Sequence, residues 1–203
     1  MIETLLPAVI GAQGEPHTWR VHDYKGIGRI PQGLSKMEAP LKKTLLDRLP
    51  AILRAHGKTH GIDAVVVVLD SDRRNCQQFL GELQTLLNQC DPAPRTLFRL
   101  AIEEMEAWYL GDREALLAAY PRAKRDVLAR YQQDSVCGTW ELLADAVYPG
   151  GQAAIRKAGW PLPGQIKHEW AEKIGPRMSV EVNASPSFHK FREGLRRLIA
   201  EAS

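Results

Sequence analysis

The stretch Ala64-Val65-Val66-Val67-Val68-Leu69-Asp70-Ser71-Asp72 decides how this chain is read. Six apolar residues, four of them β-branched, run straight into an Asp-x-Asp pair. A continuous apolar run closed by charged, turn-forming residues reads as a strand buried on both faces. Strands of that kind belong to parallel sheets covered by helices. In open parallel sheets, ligands bind outside the carboxyl ends of the strands, where Asp70 and Asp72 fall. Two carboxylates two residues apart on a rigid strand end can share a hard divalent cation such as Mg²⁺. They can also cap a turn and the helix after it, because Asp is a favoured N-cap. Spacing alone leaves both readings open.

Downstream, Arg73-Arg74-Asn75 leads into a helix whose buried face is predicted from Cys76, Phe79, Leu80, Leu83, Leu86 and Leu87. Asp91-Pro92-Ala93-Pro94 stops that helix. Thr96 to Ile102 then reads as a further strand, and two strands joined through a helix form a right-handed parallel crossover. The second strand end runs into Glu103-Glu104-Met105-Glu106. Acid-rich helix starts are ordinary, since carboxylates complement the positive end of the helix dipole. Here, however, Glu103 and Glu104 are expected at the same sheet edge as Asp70 and Asp72. Four converging carboxylates repel one another unless a cation or a proton neutralises them. The expectation is a Mg²⁺ or Mn²⁺ site drawn from Asp70, Asp72, Glu103, Glu104 and Glu106, with Arg73 and Arg74 beside it to hold phosphates.

Upstream, Ile2, Leu5, Leu6 and Val9 predict a short helix ended by Gly11. Thr18 to Tyr24 alternates weakly and reads as a first strand. Gly26-x-Gly28, within the glycine-rich run from Lys25 to Gly33, completes no nucleotide fingerprint and reads as a plain loop. Leu41, Leu45, Leu49, Ile52 and Leu53 predict a helix from about Pro40 to His56, with Pro50 kinking it. His56 and His60 have a helical ligand spacing, but flanking glycines and the lack of an accompanying acid favour a solvated turn.

Beyond Pro121 the chain turns helical. Short helices are predicted up to Pro121, over Ala123 to Tyr131, from Thr139 to Pro149-Gly150-Gly151, around Ile166, Trp170 and Ile174, and from Pro186 to Glu201. The basic faces of the second and last are the usual solvated kind. The expected architecture is an α/β domain over residues 1–120 with a helical region over 121–203 packed on it. A net charge of +3 permits nucleic acid as a partner without arguing for it. Cys76, Cys90 and Cys137 lie far apart, a pattern of reduced thiols rather than a zinc site or disulfide framework. No stretch is long enough to span a bilayer, and the first ten residues lack a basic leader. A cytoplasmic protein without membrane contact is expected.

At the two acidic strand ends the chain resembles the bacterial DUF4276 family, whose members look like the Toprim domains of OLD-family nucleases. The residues that carry the resemblance are Val67 to Asp72 with Cys76, Arg99 to Asp112 including Glu106-Ala107-Trp108-Tyr109-Leu110-Gly111-Asp112, Gly138 to Glu141, and Ser185 to Arg192. The resemblance implies a Toprim-like parallel sheet, Mg²⁺ held at Asp70 and Asp72, and phosphodiester chemistry. It also implies an ATPase as partner in a phage-defence or mobile-element setting. One departure stands out: relatives carry a strand ending in glutamate ahead of the first helix, and here Met1 begins at that helix, with Glu3 inside it. Either the start is set too far downstream or that strand is truly missing; in the latter case the sheet exposes an apolar edge, which a partner chain or a second copy would cover.

The expected activity is therefore Mg²⁺-dependent nucleic-acid cleavage using Asp70, Asp72, Glu103 and Glu104. A degenerate, non-catalytic subunit that docks on an ATPase is the alternative. A phosphatase using Asp70 as nucleophile and Asp72 as acid/base is weaker, because its later Ser/Thr and Lys are not found.

Overall fold

The computed structural model describes residues 1–24, 26–31, 44–135 and 138–201. The apolar run forms β1 (Val65–Asp70) and the second run forms β2 (Thr96–Ala101). They pair in parallel, in a register from Val65 opposite Thr96 to Asp70 opposite Ala101. Between them α3 (Cys76–Asn88) makes the crossover, its first turn capped by the Asn75 side chain accepting from the Gln78 N–H. This is an α/β protein with a small parallel sheet among helices.

Both faces of the sheet pack against helices, although Val66 stays exposed, and the period-2 alternation of a strand shows which side chains go where. Val67, Leu69, Phe98 and Leu100 point into one apolar cluster with α2 (Leu45–Gly57) and α3. Val68, Leu97 and Ala101 face the other, larger cluster. That larger cluster runs through α1 (Ile2–Ile10), α4 (Glu106–Leu110), α5 (Arg113–Ala119), α6 (Arg125–Leu128), α7 (Thr139–Val147), α8 (Gly151–Ala158), α9 (Leu162–Ile174) and α10 (Pro186–Ala200). It crosses residue 120 without interruption: Trp108 stacks on Phe191 at 5.0 Å and meets Phe188 edge-on at 5.4 Å. Arg99 lies along α10, donating from Nε to the Lys190 carbonyl at 2.7 Å, close against Gly194.

Several sequence expectations change. Thr18 to Tyr24 forms no strand; Trp19 and Val21 still rest against the larger core, but Asp23 stands where the next apolar residue of the alternation would fall. The described sheet is therefore two-stranded. Pro50 does not restart α2 but sits buried within one continuous helix. Leu80 points largely to solvent, because it falls off the stripe set by Phe79, Leu83 and Leu86. The helix expected over Ala123 to Tyr131 shortens to Arg125–Leu128. Pro149-Gly150-Gly151 stops α7 as expected and also reverses the chain: Gly150 takes φ 79°, and α8 starts at once. Lys25, the start of the α2 prediction and Cys137 lie outside the described residues. No described helix is long and apolar enough to cross a membrane.

Candidate functional site

The parallel pairing continues one step past the strands. The Ser71 N–H donates to the Ala101 carbonyl, and the Asp72 N–H donates to the Glu103 carbonyl, both at 2.9 Å. Buried Ser71 closes the seam by accepting the Glu103 N–H on Oγ at 2.8 Å. To make this junction, Asp72 and Glu103 both adopt left-handed backbone, φ 48° and 59°. Side chains with a Cβ rarely sit there, and such strain concentrates at functional junctions. The expected convergence of the two strand ends is thus present.

Each acid has its own surroundings. Asp70, at the end of β1, is mostly buried, and its Oδ1 has no hydrogen-bond partner among the described residues. Burial, with the charges of Glu106, Glu104 and Asp72, pushes its pKa up to about 7 against the pull of Lys167. Asp72 is exposed and meets Arg74 at 3.6 Å. Glu104 keeps Oε1 3.3 Å from the Lys167 ammonium, while its Oε2 is buried without a partner. Burial and Glu106 lift Glu104 to about 7 although Lys167 opposes them. Glu106, only 5% exposed, lies 3.2 Å from the same ammonium. Burial works against the charge on Lys167, but Glu106 and Glu104 outweigh it and raise its pKa.

Glu103 is committed differently. Its two carboxylate oxygens accept the N–H groups of Gly138 and Thr139, at 2.9 and 2.7 Å, at the start of α7. Thr139 is the first helical residue rather than the cap. The negative charge at the positive end of α7 comes from a strand end far away in sequence.

These groups border an open cleft of about 330 Å³ lined by Asp72, Arg73, Glu103, Glu104, Trp140 and Glu141. Asp70 and Glu106 lie outside that lining. Arg74 rests 4.7 Å over the Phe79 ring. Glu141 pairs with Arg156 at 2.7 Å and leaves Oε2 buried and unpartnered. Sequence reasoning missed Lys167, Glu141, Ser71 and Trp140. A charge next to the Ile166–Trp170–Ile174 stripe is the one trace of Lys167 in the sequence, and nothing there names its partners.

Among the described residues, no three His, Cys, Asp or Glu side chains gather as a group that could hold an ion by themselves. Mg²⁺ asks for less: it keeps several waters and takes one or two carboxylates. The buried, unpartnered Asp70 Oδ1 and Glu104 Oε2 are hard oxygen donors of the required kind. Glu103 and Glu106, both expected as ligands, already hold α7 and Lys167.

The Glu106 to Asp112 string is largely a packing device. The Trp108 Nε1 donates to Ser187 Oγ, and the Asn183 side-chain amide donates to the Trp108 carbonyl. Asp112 accepts the Ala115 N–H, capping α5, and the Ser179 N–H. Gly111 leaves room for buried Asn183. Ser185 to Phe191 is the other half of this joint, which explains why the two segments belong together. No family model, curated protein or solved structure matches the chain.

Proposed function

We propose that the two acidic strand ends form a Mg²⁺- or Mn²⁺-dependent site for cleaving nucleic-acid phosphodiesters, as the Toprim resemblance implies. The observation that carries this reading is the pair of buried, unpartnered carboxylate oxygens on Asp70 and Glu104. Buried acceptors without partners cost free energy, and a hard cation removes that cost. Asp70 and Glu104 would hold the ion, with Asp72 at the exposed lip. A cation there supplies a Lewis acid for a phosphoryl oxygen and an acidified water. Arg73, which lines the cleft, and Arg74 offer guanidiniums to the flanking phosphates. Lys167 compensates Glu106 and one oxygen of Glu104. Without a cation, burial and the neighbouring acids hold the Asp70 pKa up to about 7, and a bound cation would keep it ionised.

A second reading is favoured by how many acids already have structural work: Glu103 caps α7, and Glu104 and Glu106 hold Lys167. On that reading the protein is a non-catalytic subunit docking on an ATPase in a phage-defence or mobile-element system. Ile62, just ahead of β1, and Val66, within it, are apolar and exposed and would then be covered by that partner or by a second copy. Calorimetric titration with Mg²⁺ and Mn²⁺ separates the two. The catalytic reading expects specific heat and metal-dependent cleavage in the wild type, both lost in Asp70→Ala. Absence of heat in the wild type supports the docking subunit, and cleavage that survives Asp70→Ala refutes the site.

A further inference from the structure

Trp160 is 84% exposed, the most exposed of the large apolar side chains among the described residues, and belongs to neither core. An indole left in water forgoes one of the largest burial gains open to any side chain. Its place in the fold is specific. Residues 159–161 join α8 to α9. From α8, Arg156 reaches the cleft wall, pairing with Glu141 and lying 5.2 Å over the Trp140 ring. From α9, Lys167 reaches Glu104 and Glu106. Arg156 and Lys167 thus tie both helices that frame the turn to residues lining the acidic cleft. The six-membered edge of the indole lies over Gly164, where a Cβ would stand 3.4 Å from Cζ3, so the backbone gives the ring a seat. Lys157 and Arg156, both exposed, precede it by less than two turns of chain.

We propose that Trp160 is a stacking platform for an unpaired nucleobase, which makes the substrate of the cleft a single-stranded nucleic acid. The inference rests on the phosphodiesterase reading above and adds to it the strandedness of the substrate. Every base offers a π-face, so an exposed aromatic with exposed Lys157 three residues before it suits a single strand of any sequence, whose phosphates Lys157 attracts. Trp140 lines the cleft, and its ring already carries the Arg156 guanidinium at 5.2 Å. A duplex keeps its bases stacked on each other and has no free face to give Trp160.

The test measures fluorescence anisotropy of labelled 20-nucleotide oligo-dT, and of a duplex of equal length, in EDTA at low salt. Trp160→Ala should weaken oligo-dT binding roughly 5- to 150-fold. Trp160→Phe should keep most of the affinity, and duplex binding should barely change. An exposed side chain is dispensable for folding, and an unchanged melting curve checks this. Equal oligo-dT affinity in wild type and Trp160→Ala overturns the proposal, as does a wild type that binds no oligo-dT. A homodimer by sedimentation that Trp160→Ala dissolves also overturns it, assigning the indole to a second copy. Because EDTA removes metal, this result is independent of the Asp70 titration. Oligo-dT binding lost in Trp160→Ala alongside a wild type without metal heat would leave the platform standing and the catalytic reading fallen.

Discussion

Glu103 was expected as a metal ligand and is found as the cap of α7, and Glu103→Ala discriminates the two roles. The substitution removes the acceptor of two backbone N–H groups, Gly138 and Thr139. Hydrogen bonds to a charged group contribute about 1.5–3 kcal/mol each, and loss of a helix cap costs about 0.5–2 kcal/mol. Glu103 is only half-buried, so water can reach part of the exposed helix end, and about 2–3 kcal/mol in total is a fair expectation. The opposing effect is relief of repulsion among the acids. It is minor: Glu103 is the smallest of the named influences on Glu104 and is absent from those on Asp70. Destabilisation should therefore win, lowering Tm by about 4–12 °C for a chain of this size. Thermal unfolding in EDTA, where no ion can mask the charge, reads it directly. Glu103→Gln, which keeps one carbonyl acceptor, should fall in between. If Glu103→Ala melts at or above the wild-type temperature, repulsion outweighs capping and the assignment of Glu103 to α7 is wrong.

The pH dependence of stability should carry the mark of Asp70 and Glu104, whose pKa values rise from 3.8 and 4.5 to about 7 in the folded protein. Between those values the folded state retains protons that the unfolded chain has released, so stability falls as pH rises from about 4 to about 7. Asp70→Asn should flatten that fall and be more stable than wild type at pH 8 without metal; urea midpoints at pH 4, 6 and 8 that keep the wild-type slope would contradict it. Gly111→Ala should destabilise by about 1–3 kcal/mol, because the added methyl has no room beside buried Asn183 and Ser185. A denaturation midpoint unchanged from wild type would show that the joint between α4 and the Ser185 segment can relax.

The strand pair was legible because a continuous apolar run has one comfortable destination, a sheet covered on both faces. Val67 and Leu69 on one side and Val68 on the other follow from the pleat alone. That the strand ends bearing Asp70, Asp72, Glu103 and Glu104 lie side by side followed from the parallel crossover that a strand–helix–strand order requires. Weakly alternating Thr18 to Tyr24 was misread because a half-polar segment can rest two side chains on a core without pairing its backbone. The helix after Gly151 was missed because glycine pairs punctuate reversals as well as ends.

The sequence by itself thus determined the parallel pair and the acidic edge, since periodicity and chain order constrain both. Only the tertiary structure decided what each acid does, because its partners are distant in sequence. Gly138 and Thr139 turn Glu103 into a helix cap. Lys167, brought by α9, sits against Glu104 and Glu106. Burial then leaves one oxygen each of Asp70 and Glu104 without a partner among the described residues. Charge is written in the sequence, but desolvation and pairing, which set what a charge can do, exist only after the chain has folded.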